Sequence, residues 1–293
     1  MKKPKEYFDP KSTEFPYPAK TDQHYLVVKK DDGTVFDENY PYVDKSKKFL
    51  FKKRLTRVGV CTIGFLAAKI RYGLRVYGRE NLKKHKEVLK KGVMSVSNHV
   101  LMWDYLCLMY AIRPFNPYHP SWDVNCRGEN KNFIRMVGGI PVPKNDRKAL
   151  MAFSRAFEEL LNEGNWVHFY AEGSMWEYYA PIRPFKKGAM TYAVRTAKPV
   201  LPIGFSYRQP KGLQKLFHKR PLVNVTIGEP IFPDESLPKA EAVEKLMIAA
   251  HQAVCRLAGI NPEDNLYPPV FCDNDRVDYY FNPKAVPLKK DQR

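Results

Sequence analysis

Two side chains with acid–base chemistry stand five positions apart in the run Asn98-His99-Val100-Leu101-Met102-Trp103-Asp104. An imidazole can take a proton from an alcohol near neutral pH and return it to a leaving group. A carboxylate bonded to the other ring nitrogen fixes the tautomer and stabilises the imidazolium as it forms. Such a pair needs no serine or cysteine nucleophile if the imidazole acts on the acceptor hydroxyl directly. A spacing of five separates side chains by about 140° around a helix, so one helix cannot present both on the same face. The pair works if His99 occupies a strand–helix turn and Asp104 the first turn of that helix. Taken alone, it also fits a surface histidine followed by an N-cap aspartate.

The surrounding pattern supplies those elements. A short apolar strand at 93–97 leads into the pair, and a helix over 105–112 stops before Pro114. Further strands are expected over 123–127, 138–142, 166–170, 200–205 and 222–227, and helices over 148–162, 187–197 and 239–258. Gly164 suits the end of the helix over 148–162. Strands spaced by helices predict an α/β fold, a mixed and largely parallel sheet flanked by helices. Four regions are expected: an arm over 1–47, basic amphipathic helices over 48–76, the main domain over 77–260 and a proline-bearing tail over 261–293. Within the arm, Asp32-Gly33 suggests a small hairpin between Tyr25 and Tyr40.

The 293 residues carry 49 Lys and Arg against 31 Asp and Glu, a formal charge of +18. Residues 45–91 concentrate it, with sixteen basic residues against Glu80 and Glu87 alone. At its centre, 58–68 is apolar, too short for a span of about 20 residues. Basic flanks around a short apolar body suit a helix lying in a membrane interface, and a core helix with basic ends has the same pattern. The five cysteines show no CxxC and no pairing pattern, which argues against a disulfide framework or a zinc site. The basic N-terminus is followed by no apolar segment of the signal-peptide kind.

Further motifs follow in order. With Asn98-His99-x4-Asp104, Gly138-Gly139-Ile140-Pro141-Val142-Pro143-Lys144, Tyr170-Ala171-Glu172-Gly173-Ser174 and Leu201-Pro202-Ile203-Gly204-Phe205 resemble the four motifs of the glycerolipid acyltransferases, the group containing 1-acylglycerol-3-phosphate acyltransferase. Phe185-Lys186-Lys187-Gly188-Ala189 is similar to a stretch often found after the third. The resemblance implies that His99 and Asp104 are catalytic and that Glu172 accepts a hydrogen bond from the acceptor hydroxyl. It places Asn98, Gly173 and Ser174 at the substrate, with Gly173 letting it approach the backbone. Lys144 stands where the family's phosphate-binding arginine is usual, with Arg147 near it. Met175 replaces a second such arginine, so Arg183, Lys186 or Lys187 is expected to compensate. The aromatics Trp176, Tyr178 and Tyr179 suit a larger or less charged head group. Arg127 is expected to support the thioester carbonyl oxygen or a donor phosphate.

The resemblance implies direct transfer of a fatty acyl group from a thioester of coenzyme A or acyl carrier protein to a lysolipid hydroxyl. No cofactor or metal is expected. The partners expected are an anionic membrane surface, the acyl carrier and a lysolipid, with the chain peripheral on the cytoplasmic side and no nucleic acid bound. A nucleic-acid-binding protein is the rival that the charge permits. A thioester hydrolase is the rival that the site permits, and a hydroxylated aminolipid is an alternative acceptor.

Overall fold

The computed structural model describes residues 32–218, 220–263 and 265. The basic segment opens it as a nearly continuous helical rod: α1 (Lys47–Gly59), one π-helical stretch (Val60–Gly64) and α2 (Phe65–Tyr72). Ser46 caps the start by accepting from the Phe49 amide. Gly73 ends it in the left-handed conformation, φ 53°. Val60, Phe65, Ala68 and Tyr72 turn inward. Phe51, Leu55, Val58, Ile63, Leu66 and Ile70 form an exposed stripe.

The chain continues through β1 (Arg75–Tyr77), α3 (Arg79–Lys84), α4 (Lys86–Leu89), β2 (Val93–Ser97), α5 (Asp104–Ile112), β3 (Pro117–Ser121), α6 (Lys131–Met136) and β4 (Gly139–Pro141). Then come α7 (Arg147–Asn162), β5 (Trp166–Tyr170), α8 (Lys187–Thr196), β6 (Val200–Arg208), α9 (Gln214–Phe217), β7 (Leu222–Ile227) and α10 (Lys239–Leu257). The seven strands lie in the order β1-β7-β6-β2-β5-β3-β4. Every neighbouring pair is parallel except β6 and β7. The fold is therefore α/β, with a mixed, largely parallel sheet flanked by helices.

Alternation along β2 sorts the two faces. Met94 and Val96 join Phe153, Phe157, Val167, Ala193 and Val254 beneath α7, α8 and α10. Val93 faces the other way, with Phe65, Leu106, Leu108 and Trp166, toward α2 and α5. Parallel strands covered on both faces read as near-continuous apolar runs, which is why β2, β5 and β7 sit where the sequence puts them.

Two expectations fail, and a third lies mostly outside the described residues. Residues 123–127 are turns rather than a strand, and the strand is β3, just before them at Pro117–Ser121. Its Pro-Tyr-His-Pro-Ser sequence looks like a loop because proline donates nothing to a ladder. It survives because β3 shares only two register positions with β5, and the His119 amide supplies a bond to the Gly138 carbonyl. The helical segment stops at Tyr72, and Arg75–Tyr77 pair with Asn224–Thr226 as an edge strand. The hairpin between Tyr25 and Tyr40 lies mostly outside the described residues. Its described end has no strand, because the Asp32 carboxylate accepts from the Thr34 amide and bends the chain locally. The expected tail likewise lies outside the described residues beyond Asn265, whose amide clasps the backbone of Ile182.

Three histidines are packed into the interior. Burial lowers His119 and His251 from the usual 6.5 to about 4, and holds His168 well below it. Below pH 6.5 the unfolded chain takes up protons that the folded chain refuses. Stability is thus complete above about pH 6.5 and declines as pH falls toward 4. Thermal melting across this range should show that decline, and His251→Gln should flatten part of it. An unchanged pH slope in the variant would remove His251 from the account.

Candidate active site

The carboxyl ends of parallel strands are where α/β sheets bind ligands. Strand β2 ends at Ser97, and residues 98–103 turn the chain into α5, whose first residue is Asp104. The His99 Nδ1 lies 2.6 Å from Asp104 Oδ2. That oxygen also accepts from the Val100 amide at 3.2 Å. Asp104 is 2% exposed at a helix N-terminus, where the dipole favours its negative charge. An ionised carboxylate only accepts, so the ring proton sits on Nδ1 and Nε2 keeps its lone pair. The imidazole retains 23% of its side-chain surface, so that nitrogen can meet a substrate.

The histidine rests on a ring shelf. Tyr170, at the end of β5, stacks on it at 3.9 Å and 15°. Burial, followed by the charge of Asp104, pushes the Tyr170 phenol well above its usual range, so it stays neutral. Beneath lies a polar chain. Trp166 Nε1 donates to Ser95 Oγ at 2.7 Å, and Ser95 stands 2.8 Å from His168 Nδ1. His168 Nε2 stands 3.2 Å from Ser97 Oγ, which donates to the carbonyl of Asn98. The indole can only donate. Ser95 therefore passes its proton toward Nδ1, His168 donates from Nε2, and the chain of bonds ends on the peptide joining Asn98 to His99. Sequence reasoning missed His168 and Tyr170. The signal was a histidine inside an apolar strand, two residues from a tyrosine and so on the same face.

Glu172, expected at the acceptor hydroxyl, is occupied instead. Its Oε2 accepts from the His99 amide at 2.9 Å and from Arg183 Nη2 at 2.7 Å, while Oε1 accepts from the Arg183 amide at 2.7 Å. Arg183, expected as a phosphate ligand, is 1% exposed and also donates to Ser174 Oγ at 2.7 Å. Its guanidinium lies 4.3 Å from the Trp176 ring. Ser174 is thereby turned inward as well. Asn98 bridges to β6, donating to the Phe205 carbonyl at 3.1 Å and accepting from its amide at 2.9 Å. These residues build the turn that carries His99; none offers the substrate a free face. Gly173 has φ 82°, and what approaches it is the stem of Lys186, which a Cβ would meet at 2.7 Å.

Met175, Trp176, Tyr178 and Tyr179 are all buried, so they pack the loop rather than line a head-group site. The Trp176 and Tyr178 amides donate to the carbonyls of His99 and Val100, at 3.0 and 2.8 Å. Among the other cations expected at the site, Lys144 and Arg127 converge on Asp123, at 2.9 and 2.6 Å. They line a cavity of about 440 Å³ with Thr34, Phe36 and Asp146, near the ends of β3 and β4. Arg147 is exposed at the start of α7. Lys186 and Lys187 are exposed at the start of α8, and Lys187 stands 3.7 Å from Glu244.

The chain is similar to known proteins. The Acyltransferase family model matches residues 73–206, which span β1 through most of β6 and enclose the His99–Asp104 turn. Over residues 73–206 the chain is thus similar to acyltransferases. A 1-acyl-sn-glycerol-3-phosphate acyltransferase of Chlamydomonas reinhardtii is 26% identical over 194 residues, 62% of this chain and 52% of that protein. The chloroplastic 1-acyl-sn-glycerol-3-phosphate acyltransferase of Brassica napus is 32% identical over 102 residues, 34% of this chain and 29% of that one. The chain thus spans about half the length of the first relative and less of the second. The crystal structure of the 1-acyl-sn-glycerophosphate acyltransferase PlsC from Thermotoga maritima aligns with a TM-score of 0.46 and 17% identity, over 74% of this chain and 85% of that one.

Two outcomes test the site's construction. Arg183→Met leaves the Glu172 carboxylate buried without its counter-charge, and urea unfolding should show a loss of about 3–5 kcal/mol. A loss below 1 kcal/mol would mean that the pair does not hold the loop. His168→Leu should lower kcat by about 10–100-fold through misplacement of His99, with KM nearly unchanged. A raised KM at constant kcat would contradict the positioning role.

Proposed function

We propose that the chain is an O-acyltransferase carrying a fatty acyl group from an acyl thioester to the hydroxyl of a lysophospholipid or related lipid alcohol. The observation that carries this reading is the 2.6 Å bond between His99 Nδ1 and buried Asp104, which leaves Nε2 as an accessible base. No third side chain is needed. Nε2 takes the proton of the acceptor hydroxyl as its oxygen attacks the thioester carbonyl. The tetrahedral intermediate expels the thiolate, and the imidazolium returns the proton to it. Ester and thiol are the products. Help of this kind is typically worth about 10²–10⁴-fold in rate.

The acceptor proposed first is 1-acylglycerol 3-phosphate, the substrate in the names of the Chlamydomonas and Brassica relatives. Lys144 and Arg127 supply cations for a phosphate of the acceptor or of the carrier, coenzyme A or acyl carrier protein. Because Asp123 faces both, an entering phosphate must compete with it. Another lysolipid or an aminolipid is the alternative acceptor, since Met175 is buried where a further cation is usual.

The proposed location is the surface of an anionic membrane, the cytoplasmic leaflet being the natural one for a polybasic segment. The support is the exposed apolar stripe Phe51, Leu55, Val58, Ile63, Leu66 and Ile70 on a rod rich in Lys and Arg. Among the described residues no helix is long and apolar enough to cross a membrane.

Incubation with an acyl-coenzyme A and a panel of lysolipids, read by mass, tests the reading. The expected result is a diacyl product that depends on acceptor and falls by about 10²-fold or more in Asp104→Asn. Free fatty acid formed at the same rate without acceptor would make the chain a hydrolase instead.

A further inference from the structure

The connection between β6 and β7 carries a second exposed apolar group, unrelated to the rod in sequence. Leu213, Leu216 and Phe217 are 77%, 65% and 81% exposed. Few folded chains spend three neighbouring large apolar side chains on water without a use for them. They are held in place, since the Lys215, Leu216 and His218 amides donate to the carbonyls of Gly212, Leu213 and Gln214. Lys211, Lys215 and Arg220 surround them with exposed positive charge, and residues 209–221 contain no acid.

Two features place this loop beside the site and the rod. β6 runs parallel to β2, so its carboxyl end lies on the same edge of the sheet as His99. Gly73, which ends the rod, touches the base of the loop from both sides. Its carbonyl accepts from the Arg208 guanidinium, and a Cβ there would meet the Leu222 side chain. Ile70 of the exposed stripe stands three residues before this contact.

We infer that the β6–β7 loop is a second lipid-contacting element, inserting Leu213, Leu216 and Phe217 among the acyl chains of an anionic membrane while its cations meet the head groups. This rests on the membrane reading above. Apolar tips beside a basic segment, whose Arg220 also stands 3.4 Å from Glu177, match such an interface. With the rod, the loop gives two contacts flanking the carboxyl edge, which fixes how that edge faces the lipid as well as how tightly the chain binds.

The test uses the full chain and vesicles of phosphatidylcholine with phosphatidylglycerol. The triple variant L213S/L216S/F217S should partition about tenfold or more weakly than wild type by co-sedimentation. It should keep its melting temperature and its elution volume. A second variant, F51S/L66S, reports on the rod alone. If that variant weakens binding and the loop variant binds like wild type, the loop inference is overturned and the membrane reading stands. Failure of wild type to bind the vesicles overturns both. Wild type eluting as an oligomer that the loop variant breaks would show the surface to be a contact between copies, and would also overturn the inference.

Discussion

A buried carboxylate holds the site together. Glu172 takes the amide of His99 on one oxygen and the amide and guanidinium of Arg183 on both, so the turn after β2 and both ends of the loop after β5 meet on one side chain. Removing two such charges from water costs several kcal/mol for each, and breaking the pair costs more than forming it yields. The arrangement therefore specifies a geometry more than it adds stability. With Glu172 fixed, the turn after β2 has one path. Asn98 closes it on the other side through the Phe205 backbone.

The consequence is a division of labour between hidden and reachable charge. Glu172, Arg183 and Asp104 are at most 2% exposed, while the imidazole of His99 is the part that stays open to the carboxyl edge. Asp104 acts on the ring nitrogen that substrate never touches. Tyr170 supports the ring's face, and His168 steadies the peptide behind it. Water reaching those groups would weaken each bond, because the low local dielectric is what gives them strength. The lysines and Arg147 are different. They stand exposed at strand ends and helix starts, Lys144 beside Asp123 and Lys187 near Glu244.

Much of this was legible in the sequence. The strand at Val93–Ser97 and the aspartate opening α5 follow from an apolar run, a turn and a helix that must stop at proline. The ordered motifs gave the remaining strand ends. What could not be seen is where each polar side chain points. Glu172, Ser174, Asn98 and Arg183 belong to motifs that look like a binding surface, yet they face inward, because a turn packed over a sheet needs partners for its own backbone first. Arg183, Lys186 and Lys187 are near-neighbouring cations, and nothing in a linear pattern marks the one that is buried. β3 escaped for a related reason, since its prolines carry a loop signature that two short pairings override. Trp176, Tyr178 and Tyr179 show the same limit: aromatic residues in a loop read alike whether they meet a ligand or a core.

The central claim is that one imidazole, oriented by Asp104, does the chemistry without a covalent enzyme intermediate. Thiol release from an acyl-coenzyme A, followed with a saturating lysolipid acceptor for wild type and His99→Ala, tests it most directly when intact protein is weighed in the same reaction. Acceptor-dependent release by wild type, near-complete loss in His99→Ala and no acyl adduct on either protein are the expected results. Full activity in His99→Ala, or an acylated protein that decays on adding acceptor, would contradict it.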